Sequence, residues 1–294
     1  MQSTVDGFSY GWVTLVAGFV MACLGAALGL RCTVRSLRHG SRKAGWLALG
    51  AVTIGCGIWS MHFIAMLGFK VHGASISYDV PLTFLSLAVA VLVVGAGVFT
   101  VGYRGTAPRV LLTSGVLTGL GIGAMHYLGM AAMRMDGRLL YDPLVVTLSL
   151  LIAVVAATAA LWAAVSIRGF LPTLGASVVM GIAVTGMHYT GMAAVSAEVS
   201  GSHSAHSTGG TSALEVVPML LVGPLAFLLL AAVVVMFDPM LILGDDEPRR
   251  PEHGRPRAQH RAALPYGAEY PRTAPVQAQQ PVPADFSGSP ADPR

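Results

Sequence analysis

Charged residues are scarce in this 294-residue chain, at 11% of the sequence, while 54% of its residues are hydrophobic. A soluble domain typically has about 25% charged residues, so the composition excludes an ordinary soluble protein. Continuous apolar runs of about 20 residues, enough to cross roughly 30 Å of hydrocarbon, favour helices over the alternating segments of a membrane barrel. We predict an all-α, polytopic membrane protein with seven transmembrane helices, at approximately 10–31, 45–69, 80–101, 109–133, 143–166, 173–197 and 216–240.

Cysteine is also rare, with three residues in the chain, Cys23, Cys32 and Cys56. All three fall in predicted helices or at their inner ends, which excludes a disulfide framework on the outer face. We interpret them as structural thiols.

The few basic residues are unevenly distributed between the two sides of the predicted bundle. With the N-terminus outside, fifteen Lys and Arg residues fall on the inner side and three on the outer side, which is the bias expected of cytoplasmic loops. We therefore predict the N-terminus outside and the C-terminus inside. Asp6 and no basic residue precede the first run, so it lacks the features of a cleavable signal peptide and should remain a helix. The net charge of +4 reflects this topology and gives no reason to expect a nucleic-acid partner.

The end of the chain differs in composition from the rest. Residues from about 245 onward hold ten of the seventeen prolines and too few apolar residues for a core, which is typical of disorder. We predict a membrane domain over 8–242 and a disordered Pro/Ala/Arg-rich cytoplasmic tail over 243–294. We expect no attached catalytic domain and therefore no enzymatic activity.

One hexapeptide occurs three times, as MHFIAM at 61–66, MHYLGM at 125–130 and MHYTGM at 187–192. The copies are 64 and 62 residues apart, which indicates an internal repeat of two spans. Every copy then lies at the same depth, near the outer ends of helices two, four and six. We place each histidine roughly seven residues, or about 10 Å, from that end. Tyr-Asp pairs follow two of the copies, and Asp79 and Asp142 are predicted N-caps.

The residue types of the repeated hexapeptide point to a metal site. Residues four apart share a helix face, so each copy presents an imidazole and a thioether in one direction. Soft thioethers favour Cu(I), and imidazole serves copper in either oxidation state. Zinc is less favoured because the hexapeptides contain no cysteine, aspartate or glutamate. The candidate copper ligands are Met61, His62, Met66, Met125, His126, Met130, Met187, His188 and Met192.

Simpler interpretations apply to single residues. One methionine or membrane histidine alone more often packs in a core, but ionisable residues inside membranes are rare and usually functional, so three matched copies favour a site. The aromatic residues after the histidines, Phe63, Tyr127 and Tyr189, fit an interfacial belt, and the two tyrosines could also hydrogen-bond to a ligand. The loop histidines His72, His203 and His206 are more readily explained as solvated side chains than as metal-capturing ones.

The string Met187-His188-Tyr189-Thr190 and its two variants resemble the MHYT family of bacterial integral membrane sensors, over about residues 8–242. The resemblance implies an inner-membrane sensory domain that binds copper through the motif Met and His residues and detects a diatomic gas such as oxygen, carbon monoxide or nitric oxide. Two features depart from the family. Phe63 and Ala65 replace the Tyr and Gly of the other copies. Many relatives also continue into a cytoplasmic diguanylate cyclase, phosphodiesterase or DNA-binding domain, whereas a tail follows here, which predicts a separate cytoplasmic or membrane signalling partner.

Four functions remain in competition at this point. The leading hypothesis is a copper-containing sensor of gas or redox state, multi-pass in the plasma membrane of a bacterium and surrounded by membrane lipid. A copper transporter would use the same ligands as a relay, although they cluster at one depth. A haem protein would use His or Met as axial ligands. A purely structural membrane repeat is the fourth.

Overall fold

The structure is a computed structural model that describes residues 5–6, 12–38, 42–71, 76–135, 137–199 and 213–236. All of them belong to one unit, Met1–Asp245. The predicted tail and the loop histidines His72, His203 and His206 lie outside the described residues. The helices are α1 Trp12–Arg38, α2 Lys43–Leu67, α3 Val80–Arg104, α4 Pro108–Ala132, α5 Pro143–Ser166, α6 Phe170–Ala193 and α7 Ala213–Met236.

Helices α1 to α6 are each long and apolar enough to cross a membrane. The chain is therefore a polytopic membrane protein, as the hydrophobic runs predict. In α7 the apolar stretch suited to a membrane is shorter, Leu221–Met236. The seventh span and the orientation of the bundle stay predictions.

Among the described residues, six short strands that the sequence pattern did not predict lie at the helix ends. They are β1 Val5–Asp6, β2 Lys70–Val71, β3 Ser77–Tyr78, β4 Met133–Arg134, β5 Gly137–Tyr141 and β6 Val195–Val199. They form three antiparallel pairs, β1 with β2, β3 with β4, and β5 with β6. Strand pairing supplies hydrogen-bond partners to the backbone N–H and C=O groups of the segments that flank the helices.

Each strand pair joins the beginning of one helix hairpin to its end. The pairs enclose α1 and α2, then α3 and α4, then α5 and α6, so the first six helices belong to three β-α-α-β units, and α7 follows them. All strands consequently lie at the same end of the bundle, where α2, α4 and α6 finish. The two-span period of the sequence is therefore a structural repeat.

The six helices form a closed ring. Each packs against the next in sequence, and α1 also packs against α6. Helix α7 lies against α2 and α1, which makes α2 the most enclosed of the six membrane-crossing helices. The second helices of the three units can therefore bring equivalent residues together.

Two predicted N-caps are confirmed. The Asp79 side chain accepts a hydrogen bond from the Leu82 N–H at 3.1 Å, and Asp142 accepts from the N–H groups of Leu144 and Val145. Asp79 also accepts a hydrogen bond from the Arg134 guanidinium of β4. That bond, followed by the one from Leu82, lowers the pKa of Asp79. The exposed ion pair ties the beginning of the second unit to its end.

The first helix is longer than predicted. It continues to Arg38, past the predicted end at 31. The arginines near its end pack on aromatic rings, which allows the helix to extend beyond the apolar run. The Arg31 guanidinium lies 4.9 Å from the Phe170 ring centroid, and buried Arg35 lies over Trp46. Conversely, α6 ends at Ala193, before the predicted 197, because Val195 begins the strand that pairs with β5.

Candidate metal centre

The three motif histidines come together in the bundle. The Nδ1 atoms lie 3.1 Å apart between His62 and His188, 3.2 Å between His126 and His62, and 3.3 Å between His188 and His126. Each side chain is 1% exposed. His62 and His188 lie five residues before the ends of α2 and α6, and His126 lies six before the end of α4. The prediction that they lie at one depth near these ends is confirmed.

The spacing of the three nitrogens fits a metal ion. Ligands on a tetrahedral ion with bonds of about 2.0 Å are about 3.3 Å apart, close to the 3.1–3.3 Å between the Nδ1 atoms. Hydrogen bonds alone satisfy the group less well. A neutral imidazole carries its one N–H on Nδ1 or on Nε2, so each Nδ1 atom is either a donor or an acceptor. Among three mutually close Nδ1 atoms at least one pair is therefore alike, with two N–H groups or two lone pairs facing each other.

Aromatic packing fixes the three imidazole rings. The rings are nearly perpendicular to one another, with interplanar angles of 80–87° and centroids 4.9–5.1 Å apart. Each imidazole also contacts the ring of the next residue edge-on, at 4.8–5.0 Å, and these residues are Phe63, Tyr127 and Tyr189. Because packing already holds the three side chains, they lose little rotamer freedom when a metal ion binds.

Glycines of the hexapeptides make room for the outer sides of two rings. A Cβ at Gly191 would lie 2.6 Å from Nε2 of His126, and one at Gly129 would overlap Nε2 of His62. His62 and His126 thus each pack on the backbone of the following unit. The equivalent residue in the first unit is Ala65, so the threefold relation is approximate. Within the described part of the chain, neither of these two Nε2 atoms has a hydrogen-bond partner.

All six motif methionines are buried. Their exposed fractions range from 0% for Met130 to 8% for Met192. One methionine directly precedes each histidine and lies about 100° around the helix from it. Another follows one helical turn later, so this second thioether shares the helix face of the imidazole. Their role as metal ligands stays a prediction. The cluster of potential metal ligands that the described residues form consists of histidine, without cysteine, aspartate or glutamate.

Two hydrogen bonds near the site involve serines that are not among the predicted site residues. The Trp59 indole N–H donates to Ser86 Oγ at 2.9 Å, and Tyr127 Oη shares a hydrogen bond with Ser149 Oγ at 2.8 Å. The two serines follow the Tyr-Asp pairs by equal distances, which is a signal available in the repeat. Tyr127 thus bonds to α5 and not to a histidine, while Phe63 is fully buried beside Trp59.

The cysteines belong to other parts of the bundle. Cys32 and Cys56 pack with α7 residues such as Leu228, and all three thiols are free. The burial of Cys32 and Cys56 agrees with a structural role.

A family model described as a bacterial signalling protein N-terminal repeat, MHYT, matches residues 55–114 and 119–177. The matches contain the first two hexapeptides, and the third follows after them. No solved protein structure matches the chain.

Several signalling proteins are similar to this chain over most of its length. The chain is 38% identical over 239 residues to the bifunctional diguanylate cyclase/cyclic di-GMP phosphodiesterase MucR of Pseudomonas aeruginosa, covering 79% of this chain and 35% of MucR. It is 38% identical to the cyclic di-GMP phosphodiesterase NbdA of the same organism, covering 66% of this chain and 26% of NbdA. The signalling protein YkoW of Bacillus subtilis is 30% identical, with 63% and 24% coverage. The chain thus spans about a third or less of the length of these relatives. Two matched repeats, the related signalling proteins and three converging Met-His motifs together place this chain in the MHYT family of bacterial signalling proteins.

Proposed function

We propose that this chain is a membrane sensor that binds copper through His62, His126 and His188, assisted by the six motif methionines. One observation carries the proposal: three buried Nδ1 atoms lie 3.1–3.3 Å apart, at a spacing suited to one small metal ion. Bound copper would supply redox chemistry and a coordination site for a diatomic gas. The chain's own residues hold the imidazoles in place and exclude water.

The donor atoms favour copper over other metals. Imidazole nitrogen and thioether sulfur are ligands for soft Cu(I), while Mg, Ca and Mn require oxygen ligands. Zinc also binds sites of three histidines, so the methionines beside the histidines carry the choice. Replacement of Met66, Met130 and Met192 by leucine should weaken Cu(I) binding and leave Zn(II) binding nearly unchanged.

A haem site fits this geometry poorly. Two axial imidazoles on one iron would be separated by about 4 Å, twice a metal–nitrogen bond of about 2.0 Å. Here all three Nδ1 pairs are closer than that, and no space remains between them for a macrocycle. A strong Soret band in purified protein would support haem and contradict the proposal.

A copper transporter is also less well supported. A relay needs ligands at successive depths. Four residues before the histidines, α2, α4 and α6 carry Ile58, Ile122 and Val184, and these aliphatic side chains cannot bind a metal. A transporter would accumulate copper in vesicles, which is a direct comparison with the sensor.

The signal would be passed on to a partner or an output domain. Two relatives are named as cyclic di-GMP enzymes, and we propose that this membrane region gives the input to signalling of that kind. We place the protein in the bacterial plasma membrane, with the hexapeptides toward the outer side. A gas or redox change can act only by binding, or being stabilised in, two conformations unequally.

Metal analysis of purified protein tests the proposal. Wild type should retain about one copper per chain after loading and washing, and the triple variant His62→Ala/His126→Ala/His188→Ala should retain almost none. The matched control is the triple variant His72→Ala/His203→Ala/His206→Ala, which changes three histidines outside the motifs and should bind as wild type does. Equal copper in both triple variants, or zinc in place of copper, would contradict the assignment.

A further inference from the structure

A small cavity lies inside the helix ring, toward the beginnings of α2, α4 and α6 from the histidines. Its volume is about 50 Å³, and α2, α3, α4, α5 and α6 contribute its walls. Met187, the neighbour of His188 in the third hexapeptide, is one of the lining residues. The cavity therefore reaches the residue that directly precedes His188 in the candidate metal centre.

The walls follow the helix faces that carry the histidines. Ile58, Ile122 and Val184 each line the cavity and each lie four residues before the histidine of their own helix. Four residues correspond to about 6 Å along a helix and nearly a full turn. A second layer lies eight residues before the histidines and also lines the cavity; it consists of Ile54, Thr118 and Met180. The cavity thus continues the central face inward from the histidines.

The lining is unsuited to water. Among the described residues that line the cavity, Thr118 alone has a hydroxyl, and it already donates to the Val93 carbonyl at 3.4 Å. A buried water molecule needs about 10–15 Å³ of cavity volume and two to four hydrogen-bond partners. The cavity is roomy enough for a few waters but offers almost no partners, whereas dry apolar cavities bind small apolar molecules such as xenon.

Alanines of α5 create this space. Ala156 and Ala157 line the cavity, while the equivalent residues of α3 in the preceding unit are Val93 and Val94. The repeat therefore tolerates valine at these two positions, and the smaller residues in the third unit leave room. The volume is far below the roughly 300–1,000 Å³ typical of sites for larger organic ligands, which limits the occupant to a few atoms.

We propose that this cavity is a binding chamber for a small, uncharged, apolar molecule of the size of dioxygen or xenon, and that it supplies such molecules to the histidine cluster. Apolar gases dissolve in the hydrocarbon of the bilayer, so the chamber is filled from the membrane. The layer of Ile58, Ile122 and Val184 then separates the stored molecule from the imidazoles. The supply role rests on the proposed metal-binding function, but occupancy of the chamber does not.

Xenon tests occupancy without any metal. Crystals of the full chain pressurised with xenon should give an anomalous peak in the chamber. In Ala157→Val, where the side chain matches Val94 of the preceding unit, occupancy should fall at least twofold. Ala159→Val is the matched control, because Ala159 is exposed on the outer side of the same helix, and it should keep full occupancy. If Ala157→Val does not fold, Ala156→Val serves the same purpose.

No xenon in wild type, ordered water in the chamber, or equal xenon in Ala157→Val and Ala159→Val would overturn the inference. The supply role has its own measurement, the rate at which carbon monoxide binds to copper-loaded protein. The rate should fall severalfold in Ala157→Val while its copper content stays equal to that of Ala159→Val. An unchanged rate despite lost xenon would overturn the supply role. Absence of copper from all variants would overturn the proposed function and leave the xenon result standing.

Discussion

Replacement of Gly191 by alanine should distort the metal centre without changing any ligand. Gly191 is buried near the end of α6 and packs against the imidazole of His126. The added Cβ would lie 2.6 Å from Nε2 of His126, while ordinary van der Waals contact begins at 3.4 Å. The ring or the helix must therefore move by about 0.8 Å.

That movement is large relative to the tolerance of the site. Metal–ligand distances in a binding site lie within about 0.2 Å of their ideal values, and the Nδ1 separations of 3.1–3.3 Å already suit one ion. His126 is 1% exposed and packs between the other imidazoles and Tyr127, so no free space takes up the shift. Changes that disturb the orientation of a metal ligand typically cost 10–100-fold in affinity. Overpacking should also lower the free energy of unfolding by about 1–3 kcal/mol.

The assay is competition for Cu(I) against a chelator of known affinity, in detergent-solubilised protein. Gly191→Ala should bind at least about 10-fold more weakly than wild type. Gly186→Ala is the matched control: it lies on the same helix, and a Cβ there meets no atom within 4 Å. Thermal unfolding of both apo proteins separates loss of fold from loss of the site.

Equal copper affinity in Gly191→Ala and Gly186→Ala, with both proteins folded, would refute the reasoning. It would mean that the His126 ring is not part of the binding geometry, or that it moves freely. Gly129→Ala should weaken copper binding as Gly191→Ala does, because a Cβ at Gly129 would overlap Nε2 of His62. The equivalent residue of the first unit is already Ala65, so this test applies to the second and third units.

Three further predictions concern the fold around the site. Tyr127→Phe removes the hydrogen bond to Ser149 between α4 and α5 and should cost about 0.5–1.5 kcal/mol in unfolding free energy; Ser149→Ala should cost a similar amount, and an additive double variant would contradict the pairing. Because Arg134 lowers the pKa of Asp79 below its ordinary value of 3.8, the stabilisation is present above about pH 4 and is lost as pH falls through the lowered folded-state pKa. The melting temperatures of wild type and Asp79→Asn should therefore converge in acid, and a gap that persists below that pKa would count against the ion pair. Arg35→Met removes the 2.9 Å hydrogen bond from the guanidinium to the Val235 carbonyl, so amide exchange in the last turn of α7 should accelerate relative to the control Arg31→Met, and identical exchange would show that this bond does not hold α7.

The repeat could be predicted because its three copies can be recognised directly in the sequence. A hexapeptide at spacings of 64 and 62 residues, separated by two apolar runs, requires that all copies face the same end of the bundle. The N-caps at Asp79 and Asp142 follow from local chemistry as well. Helix ends were less predictable, as at Arg38 and Ala193, because burial of arginine on aromatic rings and strand pairing depend on distant residues.

The sequence by itself determined the membrane class, the two-span repeat, the shared depth of the three histidines and the kinds of donor atom available. Only the tertiary structure decided that three helices turn these histidines toward one point, because helix rotation depends on how the ring closes between α1 and α6. It also decided that Gly129 and Gly191 receive imidazole rings, and that alanines of α5 leave an apolar space beneath the site. These features arise from contacts between residues of different helices, for which a single sequence gives the residue types but not the distances.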